Sequence, residues 1–217
     1  MKKIIICITM LLFSIVLVGC NKEVIKVTKF EKLSDGTYGV DFDFDYDIIY
    51  KNTYYVLKIP NTYQGKPVTK LGTRSINDQY GCIKEVKIPK SITSIDPDAF
   101  DLCPGLYKIH VNSKNEVYKA YNYMLYSKDL TELLYCPQAR IGDIRVPKEL
   151  KIIGEQAFYR SNTLKSLKIP SSVIEIKDMY VLMLLLIFST FCLYRGTSKI
   201  LKISELIVPF MTALFVL

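Results

Sequence analysis

The sequence predicts a solenoid: short parallel strands joined by irregular or helical turns, coil stacked on coil, a β-rich α/β architecture. A repeated phrase carries the prediction. Val86-Lys87-Ile88-Pro89-Lys90-Ser91-Ile92-Thr93-Ser94-Ile95 is followed by Ala99-Phe100 and Leu106. Residues 144–164 say it again as Ile144-Arg145-Val146-Pro147, Leu150, Ile153, Ala157-Phe158 and Leu164. Spacing carries it as well, since from Pro89 and from Pro147 the apolar positions fall three, six, ten and eleven residues on. A further start, Leu167-Lys168-Ile169-Pro170 with Val173 and Ile176, sets its proline 23 residues after Pro147. A period in the twenties with fixed apolar positions is that of a leucine-rich-repeat solenoid, whose coils bury their stripe only against one another. Such a chain presents a surface rather than enclosing a reaction.

These residues resemble the bacterial surface-antigen (BspA-like) leucine-rich repeats. Ile88-Pro89, Ser91-Ile92, Ser94-Ile95, Ala99-Phe100, Cys103 and Leu106 match one unit; residues 146–164 match another, with Gly154 in place and Ser161 where the cysteine would be. A divergent earlier unit runs from Leu57-Lys58-Ile59-Pro60 to Leu71-Gly72, with Ser75-Ile76 in place of Ala-Phe. Residues 107–141, through Met124-Leu125-Tyr126 and Leu133-Leu134-Tyr135-Cys136-Pro137, resemble the longer variant hairpin unit that interrupts such arrays. The likeness covers about residues 50–178. It implies the fold, and adhesion or binding as the role, with partners that differ.

The elements follow in order. Residues 1–19 read as a lipoprotein signal peptide: Lys2-Lys3, an apolar run from Ile4 to Val18, then Leu17-Val18-Gly19-Cys20. Charge, a short apolar stretch and a small-residue cleavage site make a secretory signal. The apolar run has 15 residues, fewer than the roughly 20 a spanning helix needs, which weighs against a plain anchor. Cysteine after Leu-Val-Gly resembles the bacterial lipoprotein signal, which implies that Cys20 becomes the acylated first residue, on the outer side of the envelope. Several acyl chains satisfy the requirement for stable anchoring. Residues 20–36 read as a polar tether. Without Lys2 and Lys3 the chain keeps 27 basic residues against 21 acidic, a net charge of +6. That excess suits an anionic partner and equally suits solubility; export disfavours nucleic acid.

Residues 37–54 read as a capping strand region. Val40, Phe42, Phe44 and Tyr46 alternate with Asp41, Asp43, Asp45 and Asp47, the period of a half-buried strand. The acidic row is either a cation site or the wet face of a cap. Calcium needs six to eight converging oxygens, whereas alternate strand residues lie about 7 Å apart on a ridge. The cap would cover the open end of the first coil.

Residues 55–178 are the repeats, with the strand just before each proline. Side chains alternate along a strand, so the residue two before the proline points outward: Lys58, Lys87, Arg145 and Lys168, with His110 taking that place in the variant unit. The next outward column holds Val56, Glu85, Lys108, Asp143 and Ser166. Like charges directly opposed are mildly destabilising. The basic column therefore invites an anionic glycan or protein, unless it serves only to keep the face soluble.

Other chemistry finds little support. His110 is the only histidine and has no nucleophile or metal partner in sequence, and there is no Gly-x-Ser-x-Gly, phosphate-cradling loop or His-Glu-x-x-His. No catalytic residue, metal or cofactor is predicted. After Cys7 leaves and Cys20 is lipidated, Cys82, Cys103, Cys136 and Cys192 lack the close pairs of a zinc site. Cys82 and Cys103 suit core packing, or a disulfide. Residues 179–217 form a hydrophobic tail, Tyr180-Val181 standing where the repeat asks for Ala-Phe. This tail is either an anchor, an out-of-frame terminus or an improvised cap over the last coil. The predicted function is a lipid-anchored surface binding module for extracellular protein or anionic glycan. A ligand-free envelope lipoprotein or array fragment, and an exported enzyme, are the alternatives.

Overall fold

The computed structural model describes residues 21–27, 29–44, 53–161, 163–167 and 169–177. The N-terminal part holds β1 (Asn21–Lys26), β2 (Phe30–Lys32) and β3 (Tyr38–Asp43). The first coil holds β4 (Thr53–Lys58), β5 (Thr62–Tyr63) and β6 (Lys66–Asn77), and the second β7 (Ile83–Ile88) and β8 (Ser94–Ile95). The variant unit supplies β9 (Lys108–Val111), β10 (Tyr118–Tyr121), β11 (Met124–Ser127) and β12 (Glu132–Tyr135). Two more coils give β13 (Gly142–Ile144) with β14 (Ile152–Ile153), and β15 (Leu164–Leu167) with β16 (Glu175–Ile176). Strands therefore sit just before the prolines, and a second strand closes each coil, twelve residues long in β6 and two residues long in β8, β14 and β16.

Each coil stacks on the one before it. On one side β1, β4, β7 and β9 form a wholly parallel sheet, and β13 and β15 form a parallel pair. On the other, β3, β6 and β8 run parallel, as do β12, β14 and β16. Non-neighbouring residues thus pair in parallel without crossover helices. The turns expected to be irregular or helical hold no helix among the described residues. Instead, three-residue bonds such as Ala99 N–H to Asp96 O and Cys103 N–H to Phe100 O (each 3.0 Å) carry the corner around Ala99-Phe100.

Residues 21–26, read from sequence as tether, form the edge strand β1, in register with β4 from Asn21↔Thr53 to Lys26↔Lys58. Together with β3 on β6 they make one more turn of the solenoid, lacking the proline phrase. The alternation from Val40 onward is a strand as predicted: Val40, Phe42 and Phe44 enter the core, while Asp41 and Asp43 stay exposed. Asp43 accepts a hydrogen bond from Asn77 Nδ2 at 2.8 Å and lies 3.7 Å from Lys29 Nζ. Asp45 and Asp47 lie outside the described residues.

The core consists of two clusters separated by the variant unit. The first runs from Val27 to Tyr135 and includes Leu57, Ile59, Leu71, Ile88, Ile92, Ala99, Phe100, Cys103 and Leu106. The second includes Ile144, Leu150, Ile153, Ala157, Phe158 and Val173. The repeat positions read from the proline spacing are the core positions. Residues of β11 and β12 divide between the clusters: Leu125 and Tyr135 join the first, and Met124, Tyr126 and Leu133 the second. The hairpin sheet is a wall with core on both faces, which explains its nearly continuous apolar sequence.

Buried polar groups hold the unit in place. Asn115 is fully buried; its Nδ2 donates to the carbonyls of Pro89 and Ile92, both at 2.9 Å. Its Oδ1 accepts from Val117 N at 3.0 Å and Tyr118 N at 2.7 Å. Corners approach closely as well: a Cβ on Gly105 would run into the Gly81 carbonyl of the preceding coil. Cys82, Cys103 and Cys136 are free thiols. Cys103 is buried and donates to Ile76 O at 3.2 Å, and burial pushes the Cys136 thiol up to about 12. Neither buried thiol is a nucleophile at neutral pH.

Candidate binding face

The four-stranded parallel sheet brings the predicted basic column together. Lys26, Lys58, Lys87 and His110 occupy one line across β1, β4, β7 and β9, through the pairs Lys26↔Lys58, Lys58↔Lys87 and Lys87↔His110. Adjacent strands are about 4.8 Å apart, so the basic side chains recur at that step. Leu57, Ile59, Val86 and Ile88 point into the core and turn the intervening lysines outward. Lys26, Lys58 and Lys87 are exposed, and no described residue forms an ion pair with them. Lys26 was missed because its strand carries no Ile-Pro phrase to mark the register.

The neighbouring column departs from expectation. Val24, Val56, Glu85 and Lys108 are in register, but Val56 is fully buried and Glu85 is only 7% exposed. Alternation decides which way a side chain leaves its strand; what lies over it decides burial. Over Glu85 lie two basic side chains, with His110 Nε2 at 3.2 Å and Lys108 Nζ at 3.9 Å. Glu85 therefore takes up the charge at the β9 end of the face and leaves the β1–β7 end basic.

An aromatic block ends the column. β10 and β11 are joined by Asn122-Tyr123, whose positive φ values of 49° and 61° are those of a two-residue hairpin turn. The turn seats itself beside β9, where Ile109 N–H donates to Tyr123 O at 3.0 Å. The Tyr123 ring centre lies 5.0 Å from Lys108 Nζ, 5.5 Å from Arg140 Cζ and 5.5 Å from the His110 ring. Arg140 also stacks on Tyr107 at 5.2 Å, and its Nη2 donates to Asn122 Oδ1 at 2.7 Å. Arg140 as a whole is 9% exposed, and among the described residues it has no carboxylate partner and its Nε makes no hydrogen bond. Tyr123 is thus held at positive φ by its turn, 40% exposed and beside three basic side chains. Sequence reasoning missed Tyr107, Tyr123 and Arg140, because a hairpin turn obeys no repeat.

The remaining predicted positions separate from the column. Arg145 is exposed just beyond β13, which pairs with β15, and its carbonyl accepts from Asn122 Nδ2 at 3.5 Å. The hairpin turn thus stands between β9 and Arg145. Lys168, Cys20 and the tail at 179–217 lie outside the described residues.

Comparison with known proteins places the repeats. The family model described as "BspA type Leucine rich repeat region (6 copies)" matches residues 132–183. A leucine-rich repeat protein from Eubacterium ventriosum is similar in structure: 29% identity over 58% of this chain and 33% of that one, TM-score 0.48. A leucine rich cell surface protein from Faecalibacterium prausnitzii is 25% identical over 72% of this chain and 37% of its own, TM-score 0.45. The chain thus spans about a third of the length of these two relatives. No curated protein matches it. By periodicity and fold the chain carries stacked leucine-rich coils, and residues 132–183 match the BspA-type repeat model.

Proposed function

We propose that the chain is a non-catalytic surface module, anchored through lipid on Cys20, whose four-stranded sheet face binds an anionic extracellular partner. The in-register column Lys26, Lys58 and Lys87 carries this reading. Three like charges about 4.8 Å apart repel one another, and an anion laid over them relieves that repulsion. The export leader and the BspA-type repeats agree with a site outside the cell.

The test is retention on immobilised polyanions, sulfated, uronic or proteinaceous. The double variant Lys58→Glu, Lys87→Glu should lose at least about tenfold in affinity, and added salt should weaken the wild-type complex as it screens exposed charge. Unaltered retention in the double variant would sink the proposal. The anchor is checked separately, by the intact mass of protein taken from membranes. Cys20 onward plus acyl groups supports it, and an unmodified chain still carrying Met1 overturns it.

A further inference from the structure

We infer that the occupant of this face is a linear acidic polysaccharide lying across the strands, with its anionic groups on Lys26, Lys58 and Lys87 and one sugar ring against Tyr123. The inference rests on the anionic-partner reading and narrows it. The face offers a line, not a patch: Lys26, Lys58, Lys87 and His110 follow one another strand by strand, and the His110 ring stands 5.5 Å from that of Tyr123. Five positions at this step span ~19 Å. A polymer with one acid group on each unit matches one cation per strand, whereas a folded acidic protein would meet such a narrow stripe with few of its charges.

The two ends of the line differ in chemistry. From Lys26 to Lys87 it is pure cation on an exposed sheet. At His110 the imidazole is already engaged by Glu85, 3.2 Å away, so an acid group gains little there. Beyond it the surface becomes the exposed part of the Tyr123 ring, backed by Arg140, whose guanidinium lacks an anion among the described residues. Sugar C–H faces pack on aromatic rings, and the cations behind the ring favour an acid on the same sugar. A polyanion without rings could use the lysines but not the tyrosine.

The experiment is titration of the full chain with galacturonate oligomers of two to eight units, with polyglutamate of equal charge as comparison. Affinity should rise about twofold to fivefold with each added unit up to three, change little at four, rise again at five and then level off. Tyr123→Ala should lower affinity for oligomers of five or more and leave the trimer unchanged; Lys58→Glu with Lys87→Glu should weaken all lengths. If polyglutamate binds as tightly as galacturonate, or the length series is flat, the polysaccharide inference fails while the anionic-partner reading stands. If neither polymer binds, and sulfated glycans do not either, both fail. Circular dichroism of Tyr123→Ala, with unchanged trimer binding, keeps a folding defect from passing as support.

Discussion

The two parts of the parallel ladder, before and after the variant unit, start from the same phrase and reach different ends. Before it, β1, β4, β7 and β9 pair continuously and line up four basic residues. After it, β13 and β15 pair only with each other, and Arg145 stands apart from the column. The repeat residues are equally well buried in both parts: Phe100 and Phe158 are 1% and 3% exposed. What separates them is the hairpin, which fills the core between them and pushes its turn into the sheet at Ile109. Burial of a coil and continuity of its surface are therefore independent properties of a solenoid. An inserted unit can preserve the first and end the second.

Substitutions in the wall test this comparison most strongly. Phe100 packs its ring 5.1 Å from that of Tyr135, and Tyr135 OH donates to Phe100 O at 3.2 Å, so it joins the regular coil to the wall. Phe100→Ala should cost about 3–5 kcal/mol, read from urea unfolding. If the two clusters behave as one cooperative core, fluorescence and circular dichroism will report one transition; two transitions would show that the wall divides the molecule energetically. Asn115→Ala should cost somewhat less, about 2–3 kcal/mol, because it leaves two carbonyls and two N–H groups without their partner. Hydrogen exchange should quicken first at Val117 and Tyr118. Protection unchanged there would mean that the unit is held by packing alone.

The smallest effect sharpens the comparison by pH. Asp129, in the turn from β11 to β12, accepts from Ser127 Oγ at 2.7 Å, Thr131 Oγ1 at 2.8 Å and Thr131 N at 3.1 Å. These bonds hold its carboxyl at about 2, below the ordinary 3.8. A lowered pKa contributes stability above the ordinary value and loses it as pH falls toward 2. Asp129→Asn should therefore lower the urea midpoint slightly at pH 6 and leave it equal to the wild type near pH 2. Asp78, directly after β6, has the opposite sign. Burial pushes its carboxyl up although it accepts from Cys82 N and Ile83 N at 3.0 and 2.7 Å. Its contribution is greatest below the ordinary carboxylate range and is lost as pH rises through its own pKa. A gap for Asp129→Asn that persists undiminished at pH 2 would place the turn's stability elsewhere than in that carboxylate.

Much of the fold was legible in the residues. The proline spacing located Ile92, Ala99, Phe100, Leu150, Ile153, Ala157 and Phe158, all of them buried, and Ile95, partly buried, because a coil's inward positions are set by its own few neighbours. The alternation at Val40, Phe42 and Phe44 was legible for the same reason. The turn of solenoid at residues 21–44 was not: β1 has no proline phrase, and only pairing with β4 reveals it.

The sequence by itself determined the repeat, the inward stripe and the basic line Lys58, Lys87, His110, since period and alternation are local properties of a chain. Only the tertiary structure decided where that line begins, at Lys26, and where it stops, at the Asn122-Tyr123 turn. It also decided that Glu85, outward by alternation, is buried beneath His110 and Lys108, and that Arg140 lies between Tyr107 and Tyr123. The physical reason is the same in each case. A side chain's direction follows from its own strand, but its burial, its charge partner and its neighbours come from strands and turns far away in sequence.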